Sequence, residues 1–286
     1  MSPRIFGILL FLLALLLFAI LDASAKYLTA FYAVPFLVWA RYAVHLVVML
    51  VAVAPSQGRA LIATRHPWLM VVRALLLCAL TLFAQLAFRV LPLAETTAIV
   101  FITPLLVALL AGPMLGETVT KKSWLATLAG FAGVMLITRP GSNLDPTGVA
   151  CALAGAVCYA LYQILTRRLA ASETPLRQLF YTALIGTLAM SLVLPGVWPA
   201  TLPTPFELLL LVGLGLCGGI GHFLLIRALR ETPASLLAPL LYVQLVWAAL
   251  LGWWVFGDVP DAWTALGMGI IGASGLSLVL GRRKTV

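Results

Sequence analysis

Ten separate stretches of this sequence are nearly free of charge, and each is about as long as the hydrocarbon core of a bilayer is thick. That leaves the chain few folds to choose from, because a helix needs about 20 apolar residues to cross that core. The stretches lie at 5–25, 34–53, 67–89, 92–113, 121–138, 146–166, 176–194, 206–226, 233–256 and 261–281, and the turns between them hold most of the proline and charge. Hydrophobic residues make up 63% of the 286 and charged residues 9%, against about a quarter charged in soluble domains. The expected fold is an all-α integral membrane protein of ten transmembrane helices.

The chain also repeats itself. Leu91–Glu117 recurs as Thr232–Asp258, with Pro92 on Pro233, Leu109 and Leu110 on Leu250 and Leu251, and Gly116-Glu117 on Gly257-Asp258. The same offset of 141 places Gly7 on Gly148, Phe18-Ala19 on Tyr159-Ala160, Lys26 on Arg167 and Leu28 on Leu169. Residues 1–141 and 142–286 then form two five-helix repeats. An odd number of spans turns the second copy over, so the repeats are inverted about an axis in the membrane plane, the geometry that gives alternating access.

The net charge of +9 does not mark a nucleic-acid binder, since the basic residues are scattered between apolar spans and not gathered on one module. They set orientation instead. One set of ends and loops collects Arg4, Arg59, Arg65, Lys121, Lys122, Arg167, Arg168, Arg177, Arg227, Arg230, Arg282, Arg283 and Lys284, whereas the other collects Lys26, Arg89 and Arg139. The positive-inside rule then puts both termini in the cytoplasm. Arg4, the apolar run after it and Ala23-Ser24-Ala25 imitate a signal peptide, but Ile5–Leu21 is longer than the usual core of about 7–15 residues and the span has a repeat partner. Cys78, Cys151, Cys158 and Cys217 lie in apolar spans without ligand spacing, so neither a metal nor a disulfide framework is expected. With no phosphate-binding glycine loop, no nucleotide cofactor is expected either.

Small residues gather on particular spans: Ala152, Ala156 and Ala160 on the sixth, Gly213 to Gly221 on the eighth, Gly130 and Gly133 on the fifth, Gly267 to Gly275 on the tenth. In lipid such faces let helix backbones approach closely. The proline-opened fourth and ninth spans ending in Gly-Glu and Gly-Asp, Arg41 in the second span, the Gly130/Gly133 and Gly272/Gly275 pairs and the five-plus-five duplication together resemble the drug/metabolite transporter superfamily, in its ten-helix, EamA-type bacterial branch. The resemblance covers essentially the whole chain and is silent about substrate. It implies a central cavity lined by the first, third, fourth, sixth, eighth and ninth spans, a small-molecule substrate, and a bacterial inner-membrane location. Asp258 stands for the usual Glu, and Leu245 and Val246 stand where a proline is common, which leaves the bend of the ninth span open.

Ionisable groups inside spans are costly and are functional candidates by default. Asp22 is one turn before Lys26, a spacing that allows an ion pair; the alternative is that Asp22 takes a proton or a substrate ammonium, with its repeat mate Gln163 offering a neutral hydrogen bond. Tyr159 and Gln163 share a helical face. With Phe18, Phe101, His222, Tyr242 and Trp247 they form a candidate aromatic lining with sparse polar groups, suited to an amphipathic solute. Gln85 and Thr81 rank lower, because amides and hydroxyls also serve as interhelical bonds. Glu95, in the first turn of its span, fits a helix-dipole role. Arg41 with His45 has the chemistry to bind a carboxylate, but the resemblance sets the second span outside the cavity and favours a structural role.

Gly272-Ala273-Ser274-Gly275 imitates the GxSG of rhomboid intramembrane proteases, with His222 as a base, but the serine follows the histidine instead of preceding it. The leading expectation is a secondary or facilitative exporter of small amphipathic metabolites, foremost amino acids including hydrophobic and aromatic ones. A multidrug exporter and a lipid-linked sugar flippase are alternatives on the same scaffold, and the protease is a remote one. Coupling to protons through Asp22 or His222 and uncoupled facilitation both stay open.

Overall fold

The computed structural model describes residues 3–115, 121–137, 139, 143–169, 172–231, 240 and 243–281, and every regular element among them is helical. In chain order these are α1 (Pro3–Leu28), α2 (Val34–Val48), α3 (Pro67–Val90), α4 (Leu93–Val100), α5 (Thr103–Leu115), α6 (Lys121–Ile137), α7 (Pro146–Leu169), α8 (Pro175–Ser191), α9 (Pro205–Glu231), α10 (Val243–Leu251) and α11 (Ala262–Gly281). A π-helical turn at Met49–Val53 and short turns to Leu61 prolong α2, and a π-helical turn at Gly252–Phe256 prolongs α10. Pro67, Pro146, Pro175 and Pro205 each open a helix, where a missing N–H costs nothing and the fixed φ suits the first turn. Among the described residues, five helical stretches are long and apolar enough to cross a membrane, and four shorter apolar ones accompany them.

The apolar run at 92–113 is not one helix, as its length suggests, but two. The chain leaves α4 at Phe101 and restarts at Thr103. Pro104 is the cause: a proline at this place has no N–H to offer Val100. Thr103 repairs part of the loss by donating its hydroxyl to Val100 O at 2.6 Å and to Ala156 O of α7 at 3.3 Å. At the equivalent place in the second half stands Leu245, and α10 runs through it unbroken to Leu251. Its prolongation ends at Gly257, whose φ of 73° is a left-handed stop that favours glycine. The matching Gly116-Glu117, like Pro233, lies outside the described residues.

Packing joins helices far apart in sequence. α1 lies along α9, α3 along α7, and α6 along α11; α2 is wedged between α8 and α9, and α3 also meets α8. α4 and α5 rest on α7, α10 rests on α1, and α4 meets α10. The glycines of the fifth and tenth spans form a contact, as expected: a Cβ on Gly133 would lie 2.8 Å from Gly267 O, and one on Gly267 would lie 2.6 Å from Gly133 O. Ala152 and Ala156 are likewise fully buried with Ala87, Ala98 and Ile99 between α3, α4 and α7. Ile5, Leu9, Leu13 and Ile20 of α1, and Leu125, Leu128 and Met135 of α6, point outward uncovered, as lipid-facing side chains do.

Candidate functional site

The interior polar groups converge because one glycine-rich helix lets three neighbours press on its backbone. On α9, a Cβ at Gly221 would lie 2.6 Å from Phe18 Cε1, one at Gly219 3.2 Å from His45 Cδ2, and one at Gly218 3.4 Å from Arg41 Nε. A methyl at Gly221 would force the Phe18 ring aside, whereas one at Gly218 or Gly219 would press on its neighbours by only a few tenths of an ångström. From α9 itself His222 packs its ring against Phe18, centroids 4.9 Å apart. One turn beyond Phe18, Asp22 accepts a hydrogen bond from Gln244 Nε2 of α10 at 3.3 Å.

Between these helices lies a cavity of about 10 Å³, bordered by Arg41, Tyr42, His45, Thr182, Gly218 and His222. That is room for about one water. Arg41 lies within electrostatic reach of Asp22, His45, Tyr159 and His222. Its guanidinium faces the Tyr42 ring at 5.8 Å and makes no hydrogen bond among the described residues. His45 Nε2 is buried and also without a partner there.

Arg73 on α3 is the opposite case. It is 2% exposed and donates to Thr166 Oγ1 at 2.7 Å, Gln178 O at 3.1 Å, Thr182 Oγ1 at 2.9 Å and Tyr162 Oη at 2.7 Å, with the Tyr162 ring 4.4 Å below its plane. Its fork pins α3 to α7 and α8. An arginine within an apolar span is by itself the sequence signal for such a role.

Of the residues expected to line a site, Asp22, His222 and Tyr159 lie within electrostatic reach of Arg41, and Phe18 packs on His222. Tyr159 stacks on Tyr162 at 6.0 Å. Gln163, on the same helix, is half-buried and makes no hydrogen bond among the described residues. Gln85 is 2% exposed with both amide atoms unpartnered among the described residues, one turn from Thr81, which shares a 2.9 Å hydrogen bond with Tyr42. Phe101 sits elsewhere, at the break after α4, packed on the apolar cluster around Ala98 and Ile99. Trp247 is half-buried on α10, and Tyr242 lies outside the described residues.

The ion pair between Asp22 and Lys26 does not form. Lys26 Nζ instead donates to Leu91 O at 2.6 Å and Phe88 O at 3.3 Å, with Asp258 Oδ2 at 3.8 Å. The physical reason is that the last carbonyls of α3 have no intrahelical donors, and a lysine stem is long enough to reach them. Arg41 and His45, expected to be structural, line the cavity. Gln244 was not singled out, though it is the one amide in its apolar run. Glu95 does occupy the first turn of α4, buried, with Oε2 unpartnered among the described residues. Ser274 spends its hydroxyl on Ile270 O of its own helix at 2.7 Å, and no contact joins it to His222 among the described residues.

Each end of α2 is tied by a polar clasp. At one end Tyr32 Oη donates to Glu207 Oε2 at 3.0 Å, and the same oxygen takes Thr204 N at 2.7 Å. At the other end Glu173, 4% exposed, accepts from Thr64 Oγ1 at 2.6 Å, Arg65 N at 3.1 Å and Arg177 Nη1 at 2.6 Å, while Arg177 Nε reaches Ala60 O at 2.8 Å. Burial by itself raises a carboxyl, but here these three hydrogen bonds outweigh it and hold Glu173 below its ordinary range. The cavity lies between the two clasps.

Comparison with known proteins gives these features a context. The model of the EamA-like transporter family matches residues 5–139 and again residues 146–280. A curated S-adenosylmethionine uptake transporter of Rickettsia prowazekii is 28% identical over 280 residues, covering 98% of this chain and 94% of the relative. A riboflavin transporter of Vibrio cholerae is 30% identical over 271 residues (93% and 90%), and a pseudopaline exporter of Pseudomonas aeruginosa is 26% identical over 267 residues (91% of each). One solved crystal structure shares the fold at 21% identity with a TM-score of 0.66, covering 96% of this chain and 99% of that one.

Proposed function

Because the chain belongs to the EamA-like transporter family, a family of membrane transporters, we propose that it carries a small amphipathic metabolite across a bacterial inner membrane by alternating access between two inverted five-helix halves, residues 1–141 and 142–286. The packing supports that symmetry. Shifting every helix to its counterpart in the other half exchanges the pair α1 and α9 with the pair α7 and α3, and returns α6 with α11 to itself. The two family matches start and end at the same offset. Tyr32 and Glu173, one from each clasp, are mates at that offset too. The clasps then act as opposite gates, and both termini lie in the cytoplasm, on the side of the Glu173 clasp.

The observation that carries the reading is the gathering of Arg41, His45 and His222 around one small hollow, with Asp22 of a third helix within electrostatic reach of Arg41. Unpaired polar groups at that depth are expensive unless a solute uses them. Aromatic rings at Phe18 and Tyr159 supply apolar contact, so the solute class is an amino acid or an amino-acid derivative with a hydrophobic or aromatic part. S-adenosylmethionine, which joins an amino-acid head to a purine, falls in that class. Relatives named for uptake and for export share the fold, so gradient and coupling set the direction; the expected one here is export. The test is counterflow of labelled amino acids and S-adenosylmethionine in proteoliposomes, repeated with Asp22→Asn and Gln163→Ala. Accumulation that neither change slows would refute the site, and no accumulation of any probe would refute the substrate class.

A further inference from the structure

We propose that Arg41, with His45 beside it, is the subsite for a substrate carboxylate, and that Asp22 with Gln244 holds the substrate's ammonium. The inference rests on the transport reading above. Its starting point is the contrast between two arginines that lie within apolar spans, Arg73 buried and Arg41 half-buried. Arg73 spends its fork on four acceptors, so its charge is used up in holding helices together. Arg41, half-buried, makes no hydrogen bond among the described residues and borders the cavity, and an unpaired charge inside a span is costly.

The surroundings select the ligand. Gly218 lets the guanidinium lie close to the α9 backbone and Gly219 does the same for the His45 ring, and the planar fork matches a carboxylate through two parallel bonds. His45 Nε2, buried and without a partner among the described residues, offers a further contact. Charge balance favours a monoanion, because one guanidinium neutralises one carboxylate, whereas a phosphate dianion would leave excess negative charge inside the membrane. Asp22 lies within electrostatic reach of Arg41, yet no ion pair joins them among the described residues. A zwitterionic head, inserted between the two, satisfies both. Lysine at position 41 would supply the charge without the fork.

The experiment compares matched solutes in proteoliposomes: labelled L-phenylalanine and L-tryptophan, the amines phenethylamine and tryptamine, which lack the carboxylate, and inorganic phosphate as a competitor. The wild-type protein is expected to move the amino acids at least tenfold better than the amines, with no competition from phosphate. Arg41→Gln is expected to raise the KM for the amino acids at least tenfold and so to erase most of their advantage over the amines, and Arg41→Lys to fall between. Should Arg41→Gln not fold, the Lys variant and the wild-type comparison of acid with amine still decide. Amines moving as well as amino acids, amino-acid flux indifferent to position 41, or inhibition by phosphate would overturn the carboxylate subsite while transport stands. Failure of every solute to move would overturn the substrate class along with it.

Discussion

Replacing Glu173 by Gln tests whether the clasp at the α2–α3 and α7–α8 connections is a gate. The side chain has no exposed surface. Oε1 takes Thr64 and Arg65 N, and the amide oxygen of Gln can keep both. Oε2 takes Arg177 Nη1 at 2.6 Å, and there an NH2 group would face another donor. Arg177 stays in place through Ala60 O, so the two donors stay opposed. One charge-assisted bond is lost, about 1.5–3 kcal/mol. At about 1.36 kcal/mol per decade that favours opening at this end roughly ten- to a hundredfold. The readout is alkylation of Leu179→Cys, which lines the cavity next to this clasp, in a background without the four native cysteines, by an impermeant maleimide. The expected result is alkylation faster by that factor with unfolding temperature little changed. An unchanged rate in a folded protein would refute the gate.

Other expectations follow from the same geometry. Because Glu173 is held below its ordinary range, its stabilisation is complete above the unfolded value of about 4.3 and is lost only as pH falls through the lower folded value; the distance between spin labels at Arg65 and Ser172, beside this clasp, should stay short from neutral pH to about 5 and lengthen only in stronger acid. Arg73→Lys keeps a charge but cannot reach α7 and α8 together, and should cost about 1.5–3 kcal/mol, seen as a fall of several degrees in unfolding temperature; no fall would show that the fork is not holding these helices. Gly267→Ala puts a methyl 2.6 Å from the backbone oxygen of Gly133 and should cost about 1–3 kcal/mol by overpacking, whereas Gly269→Ala, on the same helix with nothing near it, should cost little.

Helix positions were legible because apolar length, opening prolines and closing glycines are local signals. The break after α4 was written in Pro104 but hidden inside a continuous apolar run, and hydropathy does not see a missing N–H. Among site residues, Asp22 and His222 stood out by cost alone. What sequence could not give was partnership: Lys26 is nearest Asp22 along the helix, yet free carbonyls on α3 claim it, and Asp22 goes to Gln244, 222 residues away. Arg41 and Arg73 look alike as residues in a span; only the acceptors brought by α7 and α8 separate them. The role of Gly218, Gly219 and Gly221 as a bed for Arg41, His45 and Phe18 likewise depends on which helices meet α9.

The central claim is reciprocal opening at the two ends of α2. Spin labels on the exposed positions Phe31 and Leu208 beside one clasp, and on Arg65 and Ser172 beside the other, report the two gaps by dipolar distance measurement in lipid, with and without a transported amino acid. The account predicts that one distance lengthens while the other stays short, and that the long pair changes sides with the direction of the gradient. Both distances lengthening together, or neither moving while solute flows, would contradict it.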